Sequence, residues 1–291
     1  MSRHLTLAAT QFACVESPAD NLDRAEALVR DAAARGAGLV LLQELFSAPY
    51  FCKRQDPAHF VDALPAAGHP VITRFADLAR ELGVVLPISF FERAGQAHFN
   101  SVAIVDADGS VLGTYRKSHI PDGPGYQEKF YFSPGDTGFK VWPTAVGTIG
   151  VGICWDQWFP ECARAMALMG AEVLLYPTAI GSEPPAPDYN SQPHWQAAMC
   201  GHAAANLMPL IASNRIGSES QDGREVNFYG SSFIANWDGQ VLAKADRETA
   251  GLVTATVDLD SIAATRGSWG VFRDRRPELY HTLQTLDGGH T

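Results

Sequence analysis

Residues 146–156 read VGTIGVGICWD, and the interpretation of the chain begins with this stretch. The apolar run Val146–Ile153 predicts a short buried strand. The segment 158–161 (WFPE) and then Cys162–Met169 predict the first turns of a helix. Cys154 thus lies in a strand-to-helix turn, where free amides and the positive end of the helix dipole favour thiolate over thiol. This position indicates a nucleophile, and the alternative is a buried structural cysteine.

The two halves of the chain resemble each other. Leu5–Ala9 is similar to Thr148–Gly152, and Gly36–Leu42 is similar to Gly170–Tyr176. Each half predicts strand, helix, strand, helix, strand and then a hairpin, with Asp-Gly turn signals at 108–109 and 238–239. The predicted helices are Asn21–Arg35, Pro70–Leu82, Phe159–Met169 and His194–Asn206. Strands alternating with helices indicate an α/β fold, and the two similar halves indicate two helix-covered sheets packed face to face.

The overall composition excludes several classes of protein. The 291 residues are 46% hydrophobic and 19% charged, as in an ordinary globular enzyme, and we expect one domain over residues 1–291. The net charge of −10 argues against binding nucleic acid through a basic surface. No run approaches the roughly 18 to 20 apolar residues of a membrane span, and residues 1–12 lack the features of a signal peptide. We therefore expect a small-molecule partner, not nucleic acid or a membrane.

The cysteines and histidines form no recognisable framework. Five cysteines at wide spacings, without a CxxC pair, match neither a disulfide scaffold nor a zinc ribbon. We expect reduced thiols and a cytoplasmic location. His119, His194 and His202 are the best-placed histidines, but the sequence contains neither HxH nor HExxH, and no nucleotide-binding glycine motif follows a strand. The sequence therefore predicts no metal and no cofactor.

Three polar residues follow predicted strands and could act together. Glu44 follows the run 39–43, Lys117 follows Val111–Arg116, and Cys154 follows its own strand. Sites in open α/β sheets form at the carboxyl ends of strands. Glu44 could be a general base, Cys154 a nucleophile that attacks a carbonyl-type carbon, and Lys117 an oxyanion partner together with the backbone amide of Trp155. Singly, each charged residue is better explained as a solvated surface charge.

A family resemblance rests on three segments that include these residues: Leu42–Phe46 (LQELF), Tyr115–Pro121 (YRKSHIP) and Gly152–Asp156 (GICWD). Together they resemble the nitrilase superfamily of carbon–nitrogen hydrolases, over almost the whole chain. The resemblance implies a four-layer αββα sandwich, a catalytic triad of Glu44, Lys117 and Cys154, no cofactor, and assembly into homodimers or larger homo-oligomers. The second glutamate of the family's site corresponds to Glu128, whose alternative role is a surface charge beside Lys129.

Within the family the chain resembles the branch that hydrolyses N-carbamoylputrescine, on the segments Ile120–Tyr126, Tyr176–Pro184 and Arg273–Tyr280. That substrate carries a ureido group at one end and an ammonium at the other, so a carboxylate should face the ammonium. Glu183, in the proline-rich loop 180–193, is the candidate, with a solvent-facing loop charge as its alternative. Weaker candidates for the same role are Asp122 and Asp188. The aromatic residues expected along the pocket are Trp155, Tyr50 and Phe51.

Other readings of the sequence remain open. A related amidase of the β-ureidopropionase or ω-amidase kind would act on anionic substrates, so its pocket should present Arg or Lys in place of Glu183. A catalytically inactive binding protein would be expected to lack a triad residue, and all three are present. The segment from about 267 to 291 has no clear periodicity, and we expect it to pack on a partner subunit.

Overall fold

A computed structural model describes residues 2–221 and 223–289. The helices are α1 (Pro18–Ala34), α2 (Pro70–Leu82), α3 (Pro160–Leu168), α4 (Gln192–Asn206) and α5 (Leu259–Trp269). The strands are β1 (His4–Gln11), β2 (Leu39–Leu41), β3 (Leu86–Ala94), β4 (Ala97–Val105), β5 (Val111–Arg116), β6 (Val141–Thr144), β7 (Gly147–Val151), β8 (Val173–Pro177), β9 (Leu210–Ser213), β10 (Ile216–Gln221), β11 (Arg224–Tyr229), β12 (Phe233–Ala235), β13 (Val241–Lys244) and β14 (Gly251–Asp258).

The helix boundaries follow local capping signals. Helix α2 has the predicted bounds because Pro70 occupies its first turn and Gly83, at φ +68°, ends it in the left-handed region. Helix α1 begins earlier than predicted, since the hydroxyl of Ser17 accepts a hydrogen bond from the amide of Asp20 and caps it. Helix α5 was not predicted, and its last residues, Gly267–Trp269, begin the segment expected to be a tail. The end of that tail, residues 290–291, lies outside the described residues.

The strands form two larger layers in the described part of the chain. One is the sheet β13-β12-β9-β8-β7-β6, in which β7, β8 and β9 are parallel. The other joins β14-β1-β2 to β3-β4-β5, because the amide of Val40 donates to the carbonyl of Val85 and the amide of Val85 donates to that of Gly38. Each layer therefore combines parallel strands with a hairpin, as the similar halves of the sequence predicted.

The buried apolar residues fall into the layers of a sandwich. One cluster lies between the sheets and draws on both, with Leu7 and Val102 on one side and Val151 and Leu175 on the other. A second cluster packs α1 and α2 on the β1–β5 sheet, and a third packs α3 and α4 on the other sheet. The order is helix, sheet, sheet, helix, which confirms the four-layer αββα sandwich.

No helix in residues 2–221 and 223–289 has the length and apolar character needed to cross a membrane.

The packing of α4 on β8 makes stability depend on pH. His202 of α4 is buried, and its Nδ1 lies 3.0 Å from the hydroxyl of Tyr176. Burial lowers the pKa of His202 from 6.5 to about 4. Between these values the unfolded chain binds a proton that the folded chain does not. The stability from the neutral ring is therefore complete above pH 6.5 and is lost as the pH falls toward 4.

We expect the free energy of unfolding to fall by about 2 kcal/mol from pH 7 to pH 5 because of His202. The measurement is urea unfolding of the wild type and of His202→Gln at both pH values. The variant should lack this pH-dependent loss, whereas His4→Gln, which changes an exposed histidine, should keep it. Equal losses in the wild type and in His202→Gln would contradict a neutral buried imidazole.

Candidate active site

Cys154 occupies a strained turn directly after β7. Its φ is +41°, a left-handed conformation that is costly for a residue with a side chain. The carboxylate of Asp156 supports the turn, because its Oδ2 accepts from the amide of Ile153 at 2.9 Å and from the hydroxyl of Tyr115 at 2.8 Å. Only glycine fits at position 152, where a Cβ would lie 2.8 Å from the ring of Tyr176. These contacts fix where the thiol points.

The electrostatic surroundings of Cys154 differ from the expectation. Cys154 is the first residue of a short 3-10 turn, Cys154–Trp158, and α3 begins only at Pro160. Burial raises the pKa of the Cys154 thiol well above its ordinary value, and the charge of Glu44 raises it further, whereas Lys117 lowers it. The expectation that the turn favours a thiolate is therefore wrong. At neutral pH this direction favours the thiol over the thiolate.

Lys117 joins two carboxylates in the buried interior. Its Nζ donates to Oε1 of Glu44 at 2.9 Å and to Oε2 of Glu128 at 2.7 Å. All three side chains are almost completely inaccessible to solvent. Two of the residues predicted to follow separate strands, Glu44 and Lys117, are thus brought into direct contact, and Glu128 joins them. Glu128 is not a surface charge paired with Lys129.

The protonation states of this cluster follow from burial and charge. Burial alone would lower the pKa of Lys117, but the carboxylates of Glu128 and Glu44 outweigh it and raise this pKa well above its ordinary value. Burial raises the pKa of Glu128, and the Lys117 cation opposes that rise. Both oxygens of Glu128 accept hydrogen bonds, since the hydroxyl of Tyr50 donates to Oε1 at 2.6 Å. This pattern fits an ionised carboxylate beside an ammonium.

Glu44 has one oxygen free for chemistry. Its Oε1 accepts from the side-chain amide of Asn100 at 2.6 Å as well as from Lys117. Its Oε2 is buried and has no hydrogen-bond partner among the described residues. Because buried carboxylate oxygens are normally paired, this unpaired oxygen is available to accept a hydrogen bond or a proton. Sequence analysis did not identify Asn100, although a polar residue inside the buried strand β4 was a usable signal.

A cavity of about 140 Å³ opens onto Cys154 and Glu128. Its wall is formed by Pro121, Asp122, Gly123, Pro124, Tyr126, Trp155, Ala179, Ile180, Glu183 and Pro185. Trp155, which is 37% exposed, and the half-buried Glu183 therefore both lie in the cavity wall. None of the described residues in this wall is arginine, lysine or histidine.

Other predicted pocket residues lie elsewhere. Tyr50 is fully buried behind Glu128 and is absent from the cavity wall, so its contact is with the carboxylate. Phe51 packs against Phe91, with ring centroids 5.2 Å apart, and Asp188 is exposed outside the cavity. Sequence analysis missed Tyr126, whose hydroxyl accepts from the amide of Gly181 at 2.9 Å and ties the Glu183 loop to the cavity.

No group of three or more His, Cys, Asp or Glu side chains within the described ranges is arranged to hold a metal ion.

The family model for carbon–nitrogen hydrolases matches residues 6–267, and the chain belongs to this family. It is an enzyme that hydrolyses carbon–nitrogen bonds. It is 58% identical to an N-carbamoylputrescine amidase of Oryza sativa subsp. japonica, covering 98% of this chain and 96% of the relative. It is 52% identical to a citrullinase of Francisella tularensis subsp. tularensis, covering 96% of this chain and 98% of the relative.

Solved structures agree with this assignment. A carbon–nitrogen hydrolase from Helicobacter pylori G27 matches with a TM-score of 0.91 and 40% identity, covering 97% of this chain and 99% of the other. A mutant amidase from Nesterenkonia sp. AN1 matches with a TM-score of 0.76 and 26% identity over 96% of each chain. That amidase carries the acetamide moiety of fluoroacetamide, covalently added at its active-site cysteine.

Replacing the thiol tests the role of Cys154. We expect Cys154→Ala to lower kcat by at least about 10³-fold, because an essential nucleophile would be lost. Ammonia release by the purified protein is the measurement. The matched control is Cys200→Ala, which removes a partly buried thiol on α4 and should keep full activity. Turnover by Cys154→Ala at the wild-type rate would exclude this residue as the nucleophile.

Proposed function

We propose that the enzyme hydrolyses N-carbamoylputrescine to putrescine, carbon dioxide and ammonia. The observation that carries the proposal is a cavity whose wall contains both Cys154 and Glu183 and has no cationic side chain among its described lining residues. This arrangement suits a substrate with a ureido group at one end and an ammonium at the other. The 58% identity to an N-carbamoylputrescine amidase over nearly the whole chain supports the same substrate.

The first half-reaction forms a bond between sulfur and the ureido carbon. As the thiol of Cys154 attacks, the free Oε2 of Glu44 takes its proton, which offsets the raised pKa of the buried thiol. The tetrahedral intermediate then breaks its bond to the terminal NH₂ nitrogen, and Glu44 returns the proton to that nitrogen. Ammonia leaves, and an S-carbamoyl intermediate with the alkyl chain on nitrogen remains on the enzyme.

The second half-reaction releases the alkyl carbamate. Water attacks the S-carbamoyl carbon while Glu44 takes one of its protons, and that proton returns to sulfur as the carbon–sulfur bond breaks. The released carbamate decomposes to putrescine and carbon dioxide. In both steps the negative charge develops on the ureido oxygen, where the ammonium of Lys117 and the backbone amide of Trp155 would stabilise it. Glu128 keeps Lys117 charged and in place.

The wall of the cavity separates this substrate from alternatives. Substrates of the β-ureidopropionase or ω-amidase kind end in a carboxylate, and no arginine or lysine of the described wall could pair with it. Citrulline presents the same ureido group but ends in both a carboxylate and an ammonium. The 52% identity to a citrullinase makes it the second candidate, although Glu183 and Asp122 would repel its carboxylate. An inactive binding protein would not need an assembled Glu44–Lys117–Cys154 site.

Neutralising the carboxylate in the wall tests the proposed substrate. We expect Glu183→Gln to lower kcat/KM for N-carbamoylputrescine by about 10- to 100-fold, mostly through KM, because a partly buried ion pair with the ammonium is lost. Butylurea has the same reacting group without the amine, so its weaker turnover should not change. The matched control, Asp188→Asn, alters an exposed carboxylate of the same loop outside the cavity and should leave both substrates unaffected.

Two outcomes would contradict the proposal. Equal effects of Glu183→Gln on N-carbamoylputrescine and butylurea would remove Glu183 from amine recognition. A wild-type kcat/KM higher for citrulline than for N-carbamoylputrescine would assign the enzyme to the second candidate.

We also propose that the tail packs on a second copy of the chain in the cytoplasm. The tail exposes large apolar side chains, with Leu279 at 64%, Leu283 at 65% and Trp269 at 68% exposure, and burying them in an interface would be favourable. Sedimentation of Leu283→Glu should show smaller assemblies than the wild type. Val61→Glu changes an aliphatic residue outside the tail that is 80% exposed, and it should not alter assembly. A monomeric wild type would refute the proposal.

A further inference from the structure

Arg215 is a completely buried cation that contacts the backbone around Glu44. It lies just beyond the end of β9, and its side chain has no exposed surface. Its Nη2 donates to the carbonyl oxygen of Glu44 at 2.9 Å and to that of Leu45 at 2.8 Å. Its Nη1 donates to the carbonyl of Ala48 at 3.2 Å. One guanidinium thus holds the segment that carries the proposed general base.

The backbone at this point needs such support. Leu45 has a φ of +49°, in the left-handed region that residues with side chains rarely adopt. This conformation directs the carbonyls of Glu44 and Leu45 toward the same nitrogen of Arg215. The amide of Leu45 donates to the hydroxyl of Ser89 at 2.9 Å, which fixes the other side of the residue. A strained backbone conformation of this kind persists only where surrounding contacts hold it in place.

The same guanidinium is linked to Glu128 through Glu219 and Tyr50. Its Nη1 donates to Oε1 of Glu219 at 2.8 Å. The Oε2 of Glu219 accepts from the amide of Tyr50 at 2.6 Å and from the ammonium of Lys53 at 2.8 Å. Tyr50 in turn donates its hydroxyl to Glu128. The hydrogen bonds form a closed ring, because Glu128 and Glu44 meet again at Lys117.

We propose that Arg215 is a positioning residue for the reaction: it sets the backbone of Glu44 directly, and it sets Glu128 through Glu219 and Tyr50. The inference rests on the proposed function only for the role of Glu44 as the base. An arginine with a purely structural role could bind any carbonyl, whereas this one binds the carbonyls of the base and its neighbour. Displacing a catalytic group by about 1 Å can cost about 100-fold in rate. We call the hydrogen bonds from Arg215 to the carbonyls of Glu44 and Leu45 the clamp, and we expect its loss to lower kcat.

Arg215→Lys tests the clamp, because lysine keeps the charge but cannot reach three carbonyls and a carboxylate together. The matched control is Arg266→Lys on α5. Arg266 is half-buried and also donates to main-chain carbonyls, those of Leu207 and Ala171, which lie outside the cavity wall. For each protein we would measure kcat and KM from ammonia release, the melting temperature, and the rate at which iodoacetamide alkylates Cys154, read by peptide mass spectrometry.

We expect Arg215→Lys to lower kcat by about 10- to 100-fold with little change in KM, and to slow the alkylation of Cys154 at neutral pH. Arg266→Lys should lower the melting temperature but leave kcat, KM and the alkylation rate unchanged. Wild-type kcat and alkylation rate in Arg215→Lys, or losses no larger than those of Arg266→Lys, would overturn the proposal. The alkylation rate requires no substrate, so failure of the proposed function would leave this test intact.

If Arg215→Lys does not fold, Glu219→Gln provides the test. Glutamine fills the same space, but an amide NH₂ facing the amide of Tyr50 and the ammonium of Lys53 cannot accept from them. The link from Arg215 to Glu128 would then break while the clamp on Glu44 remains. We expect a smaller fall in kcat than that predicted for Arg215→Lys, again with KM little changed. A folded Glu219→Gln enzyme with wild-type kcat would overturn the positioning role.

Discussion

The contact on which the rest of the site depends is the buried ammonium of Lys117 between the carboxylates of Glu44 and Glu128. A charge removed from water is costly unless opposite charges and hydrogen bonds replace the lost hydration. The fold meets this requirement from separate elements: Lys117 follows β5, Glu44 follows β2, and Glu128 begins a 3-10 turn. Asn100 and Tyr50 each donate one further hydrogen bond, to Oε1 of Glu44 and to Oε1 of Glu128.

The balance of charge in this cluster explains how the thiol behaves. Burial raises the pKa of the Cys154 thiol most, and the charge of Glu44 raises it further while Lys117 opposes the rise. A resting thiolate would be a further buried anion. A thiol avoids that cost, and in the proposed mechanism its proton moves to the unpaired oxygen of Glu44 only when the substrate is attacked.

Two residues of the cavity wall, Cys154 and Glu183, are held by different kinds of structure. Cys154 lies at a strand end in the interior, where packing from both sheets fixes the position of the sulfur. Glu183 lies in the loop between β8 and α4, where the amide of Gly181 donates to the hydroxyl of Tyr126 in the loop after β5. Loops can change without disturbing the layers beneath them. This division fits the two relatives that are each more than 50% identical to this chain and whose names refer to different substrates.

The sequence by itself determined the layers and the candidate reacting groups. Alternating apolar runs, Asp-Gly turns and helix caps are local signals, which is why the bounds of α2 and the strand-end positions of Glu44, Lys117 and Cys154 were predictable. Only the tertiary structure decided the contacts among them. Arg215 and Glu44 are 171 residues apart, and Tyr50 and Glu128 are 78 apart, so no local pattern could pair them. The state of the thiol was likewise a tertiary outcome, since burial and a distant carboxylate outweighed the local turn that had suggested a thiolate.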